Sequence, residues 1–338
     1  MRKRLPIGML LLGILLTASS WANIAQPGVW SSGGTGSFSL LYPEDDAAYK
    51  KIQMWHELVL VQLYKGYAAV KGTYWMQNNE NAPIRLKVGY PMSGDFKANG
   101  ADKMVVSFDS LYRLAAKVDG VSQTIRANDQ GWYVWETTFK PKAVTKVEVY
   151  FVVNTNESEL IKGYNHLNHP IFSYVLQTGS IWKNPIEQGL LLIQLKDGLT
   201  LTELKSAQPD TALAVNTEKQ LLRYTFHNLT PSPRNNLVLV YSKKVDNFNF
   251  KSVATRANYL FEQLDQLPSE LGFSASEFPN AWINTTTFEQ LTLEKNDEIE
   301  ATIPSNWLVS IGSIGLLVVL VGGVSIWLIV KLVRKIIN

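Results

Sequence analysis

The chain has 338 residues, of which 46% are hydrophobic and 18% charged, so it can bury a core and is too apolar for a disordered protein. The formal net charge of +3 depends on six basic residues near the two ends; without them 26 basic residues face 29 acidic ones, which excludes the basic surface typical of nucleic-acid binding. Cysteine is absent from the sequence, which excludes disulfides, thiolate zinc sites and lipidation at a cysteine.

Residues 1–22 have the features of a signal peptide. Arg2, Lys3 and Arg4 form a charged n-region, residues 7–16 an apolar h-region, and residues 20–22 a small-x-small cleavage site. An uncleaved anchor is the alternative, but the h-region is short for a span of about 20 residues. We expect cleavage after Ala22, followed by a flexible lead-in over residues 23–42.

Residues 43–153 are predicted to form a β-rich domain. Within 84–90, apolar residues alternate with Arg85, Lys87 and Gly89, which is typical of a strand with one buried face. A short helix over 44–53 is predicted to begin after Pro43. The other predicted strands are 57–64, 67–76, 103–108, 111–118, 132–139 and 145–153.

A loop over 154–170, rich in Asn and His, separates this domain from a second β-rich module over 171–250. The strands predicted in this module are 171–177, 189–196, 221–227 and 236–242. A helix over 251–268 and a loop-rich stalk over 269–306 follow. The predicted fold class is mainly β, with one large or two consecutive antiparallel β-sandwich domains, few short helices and one C-terminal transmembrane helix.

Residues 307–330 contain no charge, and at 1.5 Å per residue they cover about 36 Å, enough to cross a bilayer core of about 30 Å. Trp307 and Trp327 lie near the two ends, as in an aromatic belt. A buried core helix is the alternative, but such a helix usually carries a polar stripe. The basic residues that follow, within the tail 331–338, predict a cytoplasmic C-terminus; they are Lys331, Arg334 and Lys335.

These features predict a single-pass protein of the cell membrane with its N-terminal body outside the cytoplasm. The bilayer is therefore an expected partner, and nucleic acid is not. Glycines at 312, 315, 322 and 323 permit close helix approach, so oligomerisation through the transmembrane helix stays open, although no strict G-x-x-x-G spacing occurs.

Two histidines are weak candidates for a metal site. His166 and His169 are three residues apart, and imidazoles bind metals well when a third ligand is near. Pro170 and the neighbouring asparagines indicate a loop, and no H-E-x-x-H motif occurs, so solvated loop histidines are the favoured interpretation. No cofactor is predicted.

Trp132, Tyr133 and Trp135 are weak candidates for a ligand platform, because exposed aromatic rings on β-sandwiches bind ligands by stacking and apolar burial. Strict alternation directs Tyr133 and Trp135 to one face and Trp132 to the other. Core packing is the favoured alternative.

Three segments give the chain its resemblance to a known family. Residues 59–78 fit the strand pattern VxxxLYxGxAxVxGxYxxxN, and Val88-Gly89-Tyr90-Pro91 and the segment 174–182 with its T-G and Trp182 mark later strands and a turn. With these features the chain resembles a family of bacterial exported, membrane-anchored proteins known as a domain of unknown function. The resemblance covers roughly 55–206 and implies an extracytoplasmic β-rich domain without implying an activity.

The sequence favours a membrane-anchored binding or assembly module that contacts an envelope protein or a glycan. The alternative is an extracytoplasmic hydrolase of envelope polysaccharide or peptide. Carboxylates are plentiful, but the chain has no G-x-S-x-G motif and no thiol. Two carboxylates about 5 to 10 Å apart across a cleft would favour the hydrolase.

Overall fold

The computed structural model describes residues 18–19, 28–31, 38–40, 46–92, 94–97, 104–108, 111–129, 131–162, 165–209, 212–275, 278 and 287–293. The predicted transmembrane helix 307–330, the basic tail 331–338, most of the signal peptide and lead-in, and much of the stalk lie outside these residues. Among the described residues, no helix has the length and apolar character needed to cross a bilayer.

The protein is mainly β, and its strands are β1 (Ala18–Ser19), β2 (Gly28–Ser31), β3 (Phe38–Leu40), β4 (Ile52–Tyr64), β5 (Tyr67–Asn78), β6 (Ile84–Pro91), β7 (Gly94–Lys97), β8 (Met104–Phe108), β9 (Leu111–Val118), β10 (Val121–Ser122), β11 (Arg126–Ala127), β12 (Trp132–Phe139), β13 (Ala143–Asn154), β14 (Glu159–Lys162), β15 (Asn165–Leu167), β16 (Ile171–Tyr174), β17 (Ile186–Leu195), β18 (Leu204–Gln208), β19 (Leu213–Asn216), β20 (Leu221–Leu229), β21 (Leu237–Tyr241) and β22 (Glu289–Gln290). The α-helices are α1 (Asp46–Tyr49), α2 (Phe250–Thr255) and α3 (Ala257–Glu270).

One sheet forms the centre of the fold, with the strand order β10-β9-β13-β5-β4-β17-β20-β19-β22. Its middle strand, β4, is buried on both faces along nearly its whole length, which is typical of a strand covered on both sides. Alternate residues of β4 therefore enter two different cores. Val59, Val61 and Leu63 join the larger core, whereas Leu58 and Leu60 join the smaller one.

Different layers cover the two faces of this sheet. The larger core lies between the sheet and two three-stranded sheets, β11-β12-β6 and β16-β21-β18. The smaller core lies under α3, where Leu260, Leu264 and Leu267 recur at helical spacing and are all buried. The remaining sheets are β1-β2-β3 and β15-β14-β8-β7.

The predicted antiparallel arrangement is corrected at the pairing of β4 with β17. β4 and β17 pair in parallel, with His56 opposite Gln188 and Leu63 opposite Leu195, so strands from both predicted modules share one sheet. The described body is one unit by its internal contacts. Parallel strands require a long crossover, and the chain between β4 and β17 supplies it.

The segments predicted as loop and helix also differ from the structure. The predicted loop 154–170 contains β14 and β15, which pair with each other and with β8. Among the described residues of the predicted helix 44–53, Asp46–Tyr49 are helical, and Ile52 already begins the buried strand β4. The predicted helix 251–268 is divided at Arg256 into α2 and α3, and α3 ends at Glu270, two residues after Pro268.

Candidate functional site

A pocket of about 470 Å³ opens on the outer face of the sheet β11-β12-β6. We call it the basic pocket because three of its side chains are cationic. Its lining consists of Arg85, Lys87, Thr124, Arg126, Ala127, Asn128, Val134, Trp135 and Glu136.

Strand alternation and register bring the cationic residues to one face. Arg85 and Lys87 alternate on β6 with buried residues, so both face away from the core. Lys87 lies opposite Glu136 on β12, and Arg126 on β11 lies opposite Val134. The cations thus flank a floor formed by β12.

Cationic side chains outnumber carboxylates among the described lining residues. The only carboxylate among the described lining residues is Glu136, and it already forms an ion pair with the Nε of Arg85. Lys87 and Arg126 add two further positive charges, and among the described residues Arg126 forms no ion pair. The pocket is therefore suited to an anionic group.

A turn held by Asn128 closes one side of the pocket. The Asn128 carboxamide oxygen accepts a hydrogen bond of 2.9 Å from the Trp132 backbone N–H, and the Asn128 backbone N–H donates one of 2.9 Å to the Trp132 carbonyl. Gly131 completes this turn with a φ of +76°, which glycine adopts without a steric penalty. The wall is thus fixed by local hydrogen bonds.

The structure places the predicted ligand platform mainly in the interior. Trp132 and Trp135 are each 3% exposed, and Tyr133 is half-buried against the larger core. Tyr133 and Trp135 face the layer between the sheets, and Trp132, on the opposite face of β12, is buried as well, which favours the alternative of core packing. The same strand instead contributes Val134 and Glu136 to the basic pocket.

Trp135 also carries a buried polar atom. Its indole Nε1 is buried and has no hydrogen-bond partner among the described residues. A buried N–H without an acceptor costs about 1 to 3 kcal/mol. The Trp135 ring packs in the larger core, on the face of β12 opposite Val134 and Glu136, so this N–H faces the core and not the basic pocket.

The predicted metal site lies partly outside the described residues. The Nδ1 of half-buried His169 lies 2.6 Å from the carbonyl oxygen of Ser242. His166 lies on β15 opposite Ile161, and its side chain is outside the described residues. Within the described part of the chain, no three His, Cys, Asp or Glu side chains are grouped to hold a metal. The predicted membrane-anchor residues, Trp307 to Lys335, also lie outside the described residues.

The larger core contains a polar cluster that the sequence did not indicate. The Tyr174 hydroxyl donates a hydrogen bond of 2.9 Å to the Glu57 carboxylate and shares one of 2.8 Å with the Tyr74 hydroxyl. Tyr74 also contacts the Tyr90 hydroxyl. Burial raises the pKa of both Tyr90 and Tyr174. Because all four side chains are fully buried, this cluster connects the layers of the fold and offers no access to a substrate.

His56 occupies a third polar environment, at a β-bulge between Met54 and His56 on β4. The Trp55 ring stacks on its imidazole with centroids 4.1 Å apart, and Trp75 and Phe278 approach it edge-on at 6.4 and 6.3 Å. Burial lowers the pKa of His56. Its Nδ1 has no hydrogen-bond partner within the described residues, so the ring is held in a neutral, aromatic environment.

Sequence reasoning missed the cationic residues of the pocket. Alternation within 84–90 indicated that Arg85 and Lys87 share the outer face of a strand. No signal indicated that Arg126, on a strand of only two residues, would lie across β12 from them.

No family model matches the sequence, and no curated protein matches it. Among solved structures, the chain is similar to a protein of Legionella pneumophila subsp. pneumophila str. Philadelphia 1 named for a proposed role in nutrient binding, with 14% identity, a TM-score of 0.43 and coverage of 78% of this chain and 81% of that one. It is also similar to an M1 zinc metallopeptidase of Deinococcus radiodurans, with 9% identity, a TM-score of 0.32 and coverage of 56% of this chain and 42% of that one. The chain thus spans less than half of the peptidase, and likenesses this distant define no activity.

Proposed function

We propose that this protein is a membrane-anchored, extracytoplasmic binding or assembly module that contacts an envelope protein or a glycan through the basic pocket. The observation that best supports this proposal is the composition of the pocket. Lys87 and Arg126 lie on either side of β12, and Glu136, the one carboxylate in the described lining, is paired with Arg85. The expected signal peptide and transmembrane helix would place this pocket outside the cytoplasm.

The support for binding rather than hydrolysis is chemical. Hydrolysis of a glycosidic bond by a carboxylate pair needs two acidic groups about 5 to 10 Å apart across a cleft. Among the described lining residues only Glu136 is acidic, and its carboxylate is already engaged by Arg85. The pocket has donors for an anion and no described second carboxylate.

The test is a crosslinked pull-down of the full-length protein from its native membrane. The pocket variant is Lys87→Glu/Arg126→Glu, and the matched control is Lys219→Glu/Lys251→Glu, which makes the same charge change at exposed positions away from the pocket. We expect the wild type and the control to recover one stoichiometric partner and the pocket variant to lose it.

Two results would contradict the proposal. One is equal recovery of the partner by the pocket variant, which would move the contact elsewhere. The other is recovery of no partner or glycan by any version of the protein. Circular dichroism of each variant checks that the charge changes leave the β-rich fold intact.

A further inference from the structure

We propose that the free edge of β12, from Glu136 to Thr138, binds an extended peptide segment of a partner protein as an added antiparallel strand. This inference rests on the proposed function and names the class of partner that would bind beside the basic pocket. Three observations support it: the unpaired backbone groups of this edge, two buried hydroxyls behind it, and the layer of strands beneath it.

The strand that borders β12 on this side ends early. β11 pairs with only two residues of β12, Tyr133 and Val134, whereas β6 pairs with β12 along its whole length on the other side. Thr124 would lie opposite Glu136 if the pairing with β11 continued, but residues 123–125 form no strand, and Thr124 and Glu136 both line the basic pocket. Beyond Val134, this edge of β12 therefore has no neighbouring strand among the described residues.

The pairing register determines which backbone groups face this edge. The Trp132 carbonyl accepts a hydrogen bond from the Asn128 N–H on the β11 side, and every second residue of an antiparallel strand directs its N–H and C=O to the same side. Val134, Glu136 and Thr138 therefore face the edge. The backbone groups of Glu136 and Thr138 take part in no hydrogen bond among the described residues, and both residues are exposed. Two donors and two acceptors are thus available to an added strand.

Two buried hydroxyls lie behind this edge. Thr137 shares its face with the core residues of β12, and Thr145 on β13 shares its face with Val147 and Val149 of the larger core. The two threonines are 2% and 1% exposed, and neither Oγ1 has a hydrogen-bond partner among the described residues. Residues 140–142 join β12 directly to β13, so both hydroxyls lie near this corner. Because a buried hydroxyl without a partner is unfavourable, a polar side chain inserted here would stabilise a complex.

An added strand would bring one side chain to these hydroxyls. The peptide residue opposite Thr137 would face the same layer, with the two Cβ atoms about 4.5 to 5.5 Å apart. A Ser, Thr or Asn at this position would hydrogen-bond the Thr137 hydroxyl. The peptide residues opposite Glu136 and Thr138 would supply the backbone hydrogen bonds and direct their side chains to the outer face. The matching partner is therefore an extended segment in which β-branched residues flank a hydroxyl or amide residue.

A peptide fits this edge better than a second copy of the chain. In the central sheet, β9 and β10 follow β13, and β10 leads through residues 123–125 into β11, so β9 and β10 lie on the side of the free edge. They extend the central sheet by two strand separations, or about 10 Å. If two β12 edges paired, β9 and β10 of both copies would occupy the same layer. A single extended segment avoids this overlap.

The test measures binding of a fluorescein-labelled, capped peptide, Gly-Ser-Val-Thr-Val-Ser-Gly, to the full-length protein in detergent micelles by fluorescence anisotropy. Its matched controls carry one backbone N-methyl group, either on one of the valines or on the central threonine. In the proposed register both valine N–H groups donate to β12, whereas the threonine N–H points away from it. We expect N-methylation of either valine to weaken binding about tenfold, and N-methylation of the threonine to weaken it less than about twofold.

Variants of β12 test the same contacts from the side of the protein. Thr138→Pro removes an edge-facing N–H and keeps the pairing with β6, so it should bind the peptide about tenfold more weakly than Thr138→Val, which retains the N–H. Thr137→Val supplies a result that misfolding cannot produce. The wild type should prefer the peptide with central threonine over one with central valine by about fivefold, and Thr137→Val should lose this preference.

Several outcomes would overturn the inference. These are no binding of the unmethylated peptide, equal weakening by valine and threonine N-methylation, equal binding by the two Thr138 variants, and an unchanged threonine preference in Thr137→Val. A dimer in analytical ultracentrifugation that Thr138→Pro dissociates would also overturn it, because the edge would then belong to a second copy. Each can occur while Lys87→Glu/Arg126→Glu still loses its partner in the pull-down, so the proposed function would stand. Unchanged partner recovery by that charge variant would instead refute the proposed function.

Discussion

Lys71 connects the central sheet to α3 through an ion pair, and the structure defines the partners of its ammonium. Its ammonium lies 2.6 Å from the Asp265 carboxylate on α3 and 3.1 Å from the Glu148 carboxylate on β13. Tyr150 donates a hydrogen bond of 2.8 Å to the same Asp265 oxygen. Replacing Lys71 by Met keeps a similar length of chain and removes only the charge.

The expected cost follows from what the substitution leaves behind. Removing one partner of a buried ion pair costs about 3 to 5 kcal/mol, because the other charge stays buried. Here Glu148 is 11% exposed and keeps Lys146 at 3.3 Å, while Asp265 is 43% exposed and can turn to water. We therefore expect Lys71→Met to lower the free energy of unfolding by about 2 to 3 kcal/mol, and Asp265→Asn by about 1 kcal/mol.

The pH dependence of this effect has a defined sign. Burial alone would lower the pKa of Lys71, but its hydrogen bond to Asp265 and the charges nearby raise the pKa above its ordinary value. A raised pKa gives stability that is complete below the unfolded value and is lost only as the pH rises through the folded value. The difference between wild type and Lys71→Met should therefore be the same at pH 7 and pH 9.

The assay is urea unfolding of the full-length protein in mild detergent, followed by tryptophan fluorescence. A Lys71→Met variant within 0.5 kcal/mol of the wild type would refute the reasoning, since it would show that the ion pairs do not offset their desolvation. The double variant Lys71→Met/Asp265→Asn should lose less than the sum of the two single losses, because both substitutions remove one shared contact.

Three further predictions concern the core and its histidine. Burial lowers the pKa of His56 in the folded state, so its contribution to the free energy of unfolding should be complete above about pH 6.5 and fall as the pH drops from there toward the folded pKa. Urea unfolding at pH 7.5 and pH 5.0 should therefore show a smaller loss of stability between the two pH values for His56→Phe than for the wild type. Gly89→Ala should destabilise by about 1 to 3 kcal/mol, because the new Cβ would lie 2.3 Å from the Tyr133 carbonyl oxygen, and a thermal melt no lower than that of the wild type would contradict this. Leu264→Ala on α3 should cost about 2 to 5 kcal/mol in urea unfolding, while Tyr259→Ala, at a side chain 57% exposed on the same helix, should stay within about 0.5 kcal/mol of the wild type.

Local patterns predicted the strands well, and long-range pairing accounts for the differences. The alternation over 84–90 predicted β6, and the aromatic run over 132–139 predicted β12 with its exact bounds. The parallel pairing of β4 with β17 could not be predicted, because an apolar run such as Leu58 to Val61 shows that both faces are buried but does not specify the neighbouring strand.

The same limit applies to the candidate site. The sequence singled out the strand that forms the floor of the basic pocket, but for its aromatic residues rather than for Val134 and Glu136. A pocket depends on which strands are neighbours, and Arg126 joins it through a strand of two residues that no hydrophobic period can reveal. The tryptophans are evident in the sequence, whereas the burial of Trp135 depends on packing between two sheets.

The anchoring of the pocket strands bears on how the site would bind. The inner sides of β6 and β12 are fixed in the larger core by Leu86, Val88 and Trp135. The Tyr49 hydroxyl donates a hydrogen bond to the Lys87 carbonyl, which holds the outer edge of β6. Binding costs free energy for every group that becomes ordered in the complex. Because the backbone of this site is already fixed, only the ordering of side chains would reduce the binding free energy. For this reason we expect affinity to respond to single charges at Lys87 and Arg126 rather than to changes in backbone flexibility.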